Sequence, residues 1–186
     1  MPAPDHPAFA EPPVLVARPF AALESAAAVA LTRGYAPVIL GDAIEGEAAE
    51  VGRVMAGIAR SVAENGHPAH APAALLSGGE ATVTMQGQGG RGGRNAEFLL
   101  AFAIAAWDQP RLSGLACDTD GRDGSERNAG AVWLPSMRGR ASLAQARDHL
   151  ARHDAYGFFE MVGGLVETGP THTNVNDFRC ILIEAP

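Results

Sequence analysis

Short apolar runs alternate along this chain with longer stretches in which apolar residues return every three or four positions. The runs Val14-Leu15-Val16, Pro37-Val38-Ile39-Leu40, Ala73 to Ser77, Ala81 to Met85, Leu112 to Cys117, Ala129 to Leu134 and Val175 to Ile183 read as strands. Helical spacing predicts a helix over Ala21–Arg33, with Gly34 in the C′ position that favours glycine. A longer one is predicted over Glu45–Glu64, with Val51, Val54, Ile58 and Val62 on its apolar face and Asn65-Gly66 as its stop. Asn95–Trp107, with Phe98, Ala101, Phe102 and Ala105 inward, Leu143–His153 and Ala155–Val162 complete the helices.

Strands alternating with helices over the whole length imply an α/β fold, Rossmann-like, with a mainly parallel or mixed sheet and helices on both faces. Ligands of such sheets bind beyond the carboxyl ends of strands, so the loops there are the first places to look. The chain has 186 residues, enough for one large domain, and a proline-rich start over residues 1–13 that reads as a tail or severed linker. With 14 Lys+Arg against 21 Asp+Glu, the formal charge of −7 argues against a general nucleic-acid binder. No apolar run is long enough to span a bilayer and Met1 to Pro13 lacks the pattern of a signal peptide, so a cytoplasmic protein without membrane partners is expected. Cys117 and Cys180 lie in apolar runs and read as buried free thiols. His149 and His153 have a spacing that could hold a metal, but without a third ligand nearby they read as a solvated helix face.

The densest chemistry lies in Ser77-Gly78-Gly79-Glu80 and in the loop from Gly87-Gln88-Gly89-Gly90 through Arg91-Gly92-Gly93-Arg94-Asn95-Ala96-Glu97. Glycines let main-chain N–H groups converge on an anion, a helix opening at Arg94 adds its dipole, and two arginines supply fork-shaped donors. The loop reads as an anion-binding site. It formally satisfies the dinucleotide pattern G-x-G-x-x-G, but no acidic residue follows about 20 positions on, where Leu112 stands. A second loop, Asp118-Thr119-Asp120-Gly121-Arg122-Asp123-Gly124, offers carboxylates to a divalent cation or to hydroxyls, with a solvated turn as the alternative. Thr173-Asn174-Val175-Asn176-Asp177 reads first as a turn. Ser77 has no nearby base, so a hydrolase triad is unsupported.

These segments, with Asp154-Ala155-Tyr156-Gly157-Phe158-Phe159 and Thr168 to Asp177, occur in the order found in one family. They resemble the MOFRL domain of class II glycerate kinases, the glycerate 2-kinase group once labelled hydroxypyruvate reductases. Gly41-Asp42-Ala43-Ile44-Glu45-Gly46-Glu47-Ala48 resembles the end of that family's N-terminal domain. The resemblance covers about residues 14–184, and it implies that 14–72 end an N-terminal glycerate kinase domain and 73–186 form the MOFRL domain. It further implies a two-domain ATP:glycerate phosphotransferase using Mg²⁺, with its active site between the domains.

By that resemblance Arg94 and Asp120 are catalytic, with Arg94 holding the glycerate carboxylate or the phosphate in transfer. Asp118 and Asp120 sit near Mg²⁺ or the substrate hydroxyls. Gly78, Gly79, Glu80, Arg91, Gly92, Gly93, Asn95, Glu97, Asn174 and Asn176 line substrate or phosphate. The sequence departs from the family pattern at Ser125-Glu126-Arg127-Asn128, where an aspartate position holds Arg127, and at Asp118, where glycine is usual. All 14 basic residues are arginines, whereas the family's N-terminal domain carries a catalytic lysine. The chain is therefore expected to be inert alone and to need a missing N-terminal domain as its partner; homodimerisation stays open. Two other readings stay open beside the kinase: an NAD(P)H-dependent hydroxypyruvate reductase and a non-catalytic module that binds a small anion.

Overall fold

The structure, a computed structural model, describes residues 15–85 and 89–186. Helix α1 (Pro19–Thr32) is followed by β1 (Ala36–Gly41), a short β2 (Gly46–Glu47), α2 (Ala48–Asn65), β3 (Ala73–Gly79) and a short β4 (Ala81–Thr82). Then come α3 (Arg94–Ala105), β5 (Leu112–Asp118), β6 (Gly130–Trp133), α4 (Leu143–Ala151), α5 (Ala155–Val162), β7 (Leu165–Val166) and β8 (Asp177–Ile183). Local chemistry sets several of these limits. Pro19 opens α1, Ser142 and Gln145 form a capping box at α4, and the Asp154 carboxylate accepts from the Gly157 N–H at the start of α5.

Six strands form one sheet in the order β1-β3-β8-β5-β6-β7, and β2 pairs separately with β4. β1 and β3 run parallel, while β8 enters between β3 and β5 antiparallel to both. β6 and β7 extend the sheet with further antiparallel pairs. Of the two expected forms the sheet is the mixed one, because the last strand returns to the centre rather than adding at an edge.

Helices cover both faces, as expected, but unevenly. α1 lies on β1 and β3; α2 and α3 pack together on the opposite face, with α4 and α5 against α3. β3 is buried at every residue, whereas β5 and β8 alternate between buried and half-buried positions, since only their α3 side is fully roofed. The inward row of β5 is Leu112, Gly114, Ala116 and Asp118; that of β8 is Asp177, Arg179, Ile181 and Ile183. Behind α3, Trp133 stacks between Trp107 and Phe158, and Phe158 meets Phe159 edge-on.

Three sequence expectations are corrected here. Leu15 and Val16 form no strand and are exposed, while Val14 lies outside the described residues. The strand expected over Ala81–Met85 is confined to Ala81–Thr82. α2 begins at Ala48, and its buried residues are Ala48, Gly52, Met55, Ala56, Ala59 and Val62; Val54 is exposed. Small residues form that face because the helices touch: a Cβ on Gly52 would come within 2.3 Å of the Phe98 carbonyl of α3.

Candidate active site at the ends of β5 and β8

The alternation of β5 and β8 carries three charges onto the covered face: Asp118, Asp177 and Arg179. Buried charges persist only when paired. Arg179 is fully buried; its Nη2 donates to Asp177 Oδ2 at 2.5 Å and its Nη1 to the Gly78 carbonyl at 3.2 Å. Arg94, the first residue of α3, reaches down to the same end of the sheet. Its Nε donates to Asp177 Oδ1 at 2.7 Å and its Nη2 to Asp118 Oδ2 at 2.5 Å. Asn95 Nδ2 and the Ala81 N–H complete the shell of Asp177.

Burial disfavours the charge on Arg94, yet the hydrogen bond and attraction of Asp177, then Asp118, outweigh it and raise its pKa. Burial lifts the Asp118 carboxyl above its usual range, against the pull of the Asp120 N–H and Arg94. Burial likewise lowers Arg179, with Asp177 opposing. Arg94 keeps one edge open: Nη1 stands 3.8 Å from the exposed Glu80 carboxylate.

The N-terminus of α3 differs from the expectation of an open anion site. The buried Asp123 carboxylate accepts from the Asn95 and Ala96 N–H groups at 2.9 and 2.8 Å, so an internal carboxylate already uses the helix dipole. Burial pushes Asp123 up to about 6, its backbone bonds notwithstanding. Asp123 is thus the cap of α3 and not a candidate cation ligand. The glycine loop is also engaged with its surroundings. Gly90 N–H donates to the Arg152 carbonyl, Arg91 N–H to Asp154, and the Arg91 guanidinium to Glu160 while lying over Tyr156. Gly87 and Gln88, which the dinucleotide pattern needs, lie outside the described residues.

An open cleft of about 500 Å³ gathers Glu80, Gly92, Gly93, Arg94 and Glu97 from the expected site residues, together with Thr82 and His153. A second cleft of about 610 Å³ holds Asp120 and Asn174 with Arg122, Arg127 and His172. The structure therefore places the two expected catalytic residues, Arg94 and Asp120, in different clefts, with the buried Asp118 between them: Asp118 accepts from Arg94 through Oδ2 and from the Asp120 N–H through Oδ1.

The other expected residues fall outside both clefts. Gly78 and Gly79 are buried in β3; Gly79 has φ +124° and a Cβ there would strike the Ile44 backbone. Asn95 is buried in the charge network, Arg91 turns toward α5, and the Asn176 carbonyl accepts from Thr119. Asn174 accepts from the Asn176 N–H at 2.8 Å, the turn first read from the sequence. Ser77 is buried without a hydrogen-bond partner for its hydroxyl among the described residues. Cys117 and Cys180 are free thiols, as expected, but half-buried rather than buried, since they stand on the less covered side of β5 and β8.

Three residues escaped the sequence reading. Asp177 and Arg179 carried a readable signal, since charged residues stood at alternating positions in an otherwise apolar run. His153 was assigned to a solvated helix face, and this is corrected. It lies beyond the end of α4 with φ +52°, its Nδ1 2.8 Å from Oε1 of the buried Glu97. His149 also turns inward, its Nδ1 3.0 Å from Asp154 Oδ2.

For a divalent cation the donor set is narrow. No cluster of three or more His, Cys, Asp or Glu side chains suited to a metal occurs among the described residues. Asp118 has both oxygens occupied, one by Arg94. Asp120 accepts the Arg122 N–H through Oδ1, and its Oδ2 is left for another partner on the open cleft. One such carboxylate fits Mg²⁺ carried on a phosphate ligand, not a resident metal.

An α/β domain with a polar cleft at the strand ends is the class that this geometry defines. Residues 73–177 match the MOFRL family, and the chain belongs to it. It is 54% identical over 172 residues to an Agrobacterium vitis protein provisionally named hydroxypyruvate reductase, covering 91% of this chain and 39% of that one. It is 37% identical over 171 residues to glycerate 2-kinase of Pyrococcus horikoshii, again 91% of this chain and 39% of the other. The crystal structure of glycerate kinase from Thermotoga maritima superposes with a TM-score of 0.86 at 33% identity, over 91% of this chain and 41% of that one. The chain thus spans about two-fifths of the length of the curated relatives it matches. No helix among the described residues is long and apolar enough to cross a membrane.

Proposed function

We propose that this chain is the C-terminal part of a glycerate 2-kinase, which transfers the γ-phosphoryl group of ATP to D-glycerate. The observation that supports this reading is the Arg94 guanidinium, fixed by Asp118 and Asp177 at the rim of one cleft and divided from Arg122, Arg127 and Asp120 in the next. Phosphoryl transfer needs positioning and charge neutralisation more than covalent chemistry from the protein. Glycerate lies in the first cleft, its carboxylate replacing the exposed Glu80 on Nη1 of Arg94. The ATP phosphates lie toward the second cleft, where Arg122 and Arg127 supply cationic forks. Asp120 would hold Mg²⁺ carried on the nucleotide, and the ion would supply charge neutralisation for the transferring group. In this reading residues 14–72 connect a preceding catalytic domain to the MOFRL domain of 73–186, with β1 and α2 sharing the sheet and core of that domain, and the chain alone is expected to turn over no ATP.

The hydroxypyruvate reductase reading has weaker support, because the helix N-terminus that would receive a pyrophosphate is filled by Asp123. The test is an assay of the full-length protein with D-glycerate, ATP and Mg²⁺, beside one with hydroxypyruvate and NADPH. Phosphoglycerate and ADP in the first arm support the kinase; NADPH oxidation without ADP release overturns it.

A further inference from the structure

The glycerate cleft carries a histidine that phosphate positioning leaves without a task. His153 stands in the elbow between α4 and α5 and lines the same cleft as Arg94. Its φ of +52° is a left-handed conformation that residues other than glycine seldom take unless their surroundings impose it. Several contacts impose it here. His153 N–H donates to the Leu150 carbonyl, Asp154 N–H to that of His149, and Gly90 N–H to that of Arg152. The result points the imidazole away from the solvated face of α4 and onto α3, where Glu97 receives it.

Glu97 is 4% exposed at its side chain and His153 28%, so the pair is a buried carboxylate with a ring that reaches the surface of the cleft. A carboxylate accepts but does not donate, so the neutral ring carries its proton on Nδ1, toward Oε1 at 2.8 Å. Nε2 keeps its lone pair and has no hydrogen-bond partner among the described residues. A carboxylate that orients an imidazole lining a cleft is the arrangement of a general base. The remaining charged residues that share a cleft with the ring, among the described residues, are Glu47 of β2, Arg53 of α2, Arg91 of the glycine loop, Arg147 of α4, Arg152 and Asp154 in the elbow, and Glu80 and Arg94. Arg94, a fixed cation, and His153, a ring with one acceptor nitrogen, line the same cleft, which suits a small hydroxy acid.

We propose that His153, held by Glu97, is the general base that takes the proton from the acceptor hydroxyl of glycerate. This rests on the phosphotransferase reading. In the step, the hydroxyl O–H bond breaks and its proton passes to Nε2. The oxygen bonds to the γ-phosphorus, and the bond from that phosphorus to the β–γ bridging oxygen breaks, its electron pair leaving with ADP. The imidazolium then returns its proton to solvent. His153 is catalytic in this scheme and Glu97 is a positioning residue.

His153→Asn tests it in the full-length protein, because asparagine tolerates the left-handed backbone and its amide can still donate to Glu97, yet it offers no base. The readout is ADP release with D-glycerate and Mg²⁺-ATP across the pH range in which histidine titrates. The expected result is a fall in kcat of about 10²-fold or more, with KM for glycerate within a few-fold and the acidic limb of the kcat/KM profile abolished. Glu97→Gln is expected to lower kcat less and to displace that limb without removing it. Unchanged kcat, or an intact acidic limb in His153→Asn, overturns the proposal while leaving the kinase standing. Absence of phosphoglycerate from the unaltered protein overturns the kinase reading and this proposal with it.

Discussion

Asp118 and Asp177 face each other as register partners of β5 and β8, both on the buried side of the sheet, and the Arg94 guanidinium bonds to both. Like charges directly opposite across a ladder repel; Arg179 offsets the charge of Asp177, and Arg94 is the cation that bridges the two. Removing it by Arg94→Ala is expected to lower the stability of the chain by about 3 kcal/mol, the low end for breaking a buried pair because Arg94 is partly exposed. Adding Asp118→Asn is expected to return part of that loss, which a double-mutant cycle in urea reads directly. A strictly additive second loss would show that the two carboxylates do not interact through Arg94. Any effect of Arg94→Ala on turnover must therefore be read beside its melting curve.

Asp123 sets a pH dependence of definite sign. Its folded pKa of about 6 lies above the ordinary 3.8, so between these values the folded chain binds more protons than the unfolded one. The contribution of this group is greatest below about pH 4 and declines as pH rises to about 6. The stability of the native chain relative to Asp123→Asn should fall across that window and level off above it. A difference that rises with pH there contradicts the burial argument. Asp123→Ala at neutral pH removes the cap of α3 and is expected to cost about 1–2 kcal/mol.

Gly52 marks the closest approach of α2 to α3. Gly52→Ala would favour α2 by helix propensity, but its Cβ meets backbone on α3. The expected net result is destabilisation by about 1–3 kcal/mol, seen as a lower urea midpoint. A stabilised variant would mean that the helices are farther apart than described.

The cysteines offer a chemical check on burial. Desolvation pushes the Cys117 thiol up to about 12 and Cys180 to about 11. Only a minute thiolate fraction exists at pH 8, so both should react with a disulfide reagent in the native state far more slowly than in urea. Equal rates would place these strands in contact with solvent.

Much of the fold was legible because it rests on local pattern. α5 has the limits read from its apolar spacing, and α1, β1 and β5 lie within a few residues of theirs. What the pattern misjudged depends on distant partners. Val54 has the spacing of a core residue, but α3 selects the small face around Gly52 instead. The sense of each strand was hidden as well, since nothing local tells β8 to return between β3 and β5. At the site, Arg94 and Asp118 stood out by type, whereas Asp177 was read as part of a turn. His153 was obscured because its partner Glu97 lies on another helix and its orientation depends on a left-handed backbone.

The most direct measurement is phosphorus NMR of the full-length protein incubated with D-glycerate, ATP and Mg²⁺, with hydroxypyruvate and NADPH in a parallel sample. Glycerate phosphotransfer predicts a phosphoglycerate resonance growing with ADP in the first sample and unchanged NADPH in the second. NADPH consumption with no phosphoglycerate would contradict it.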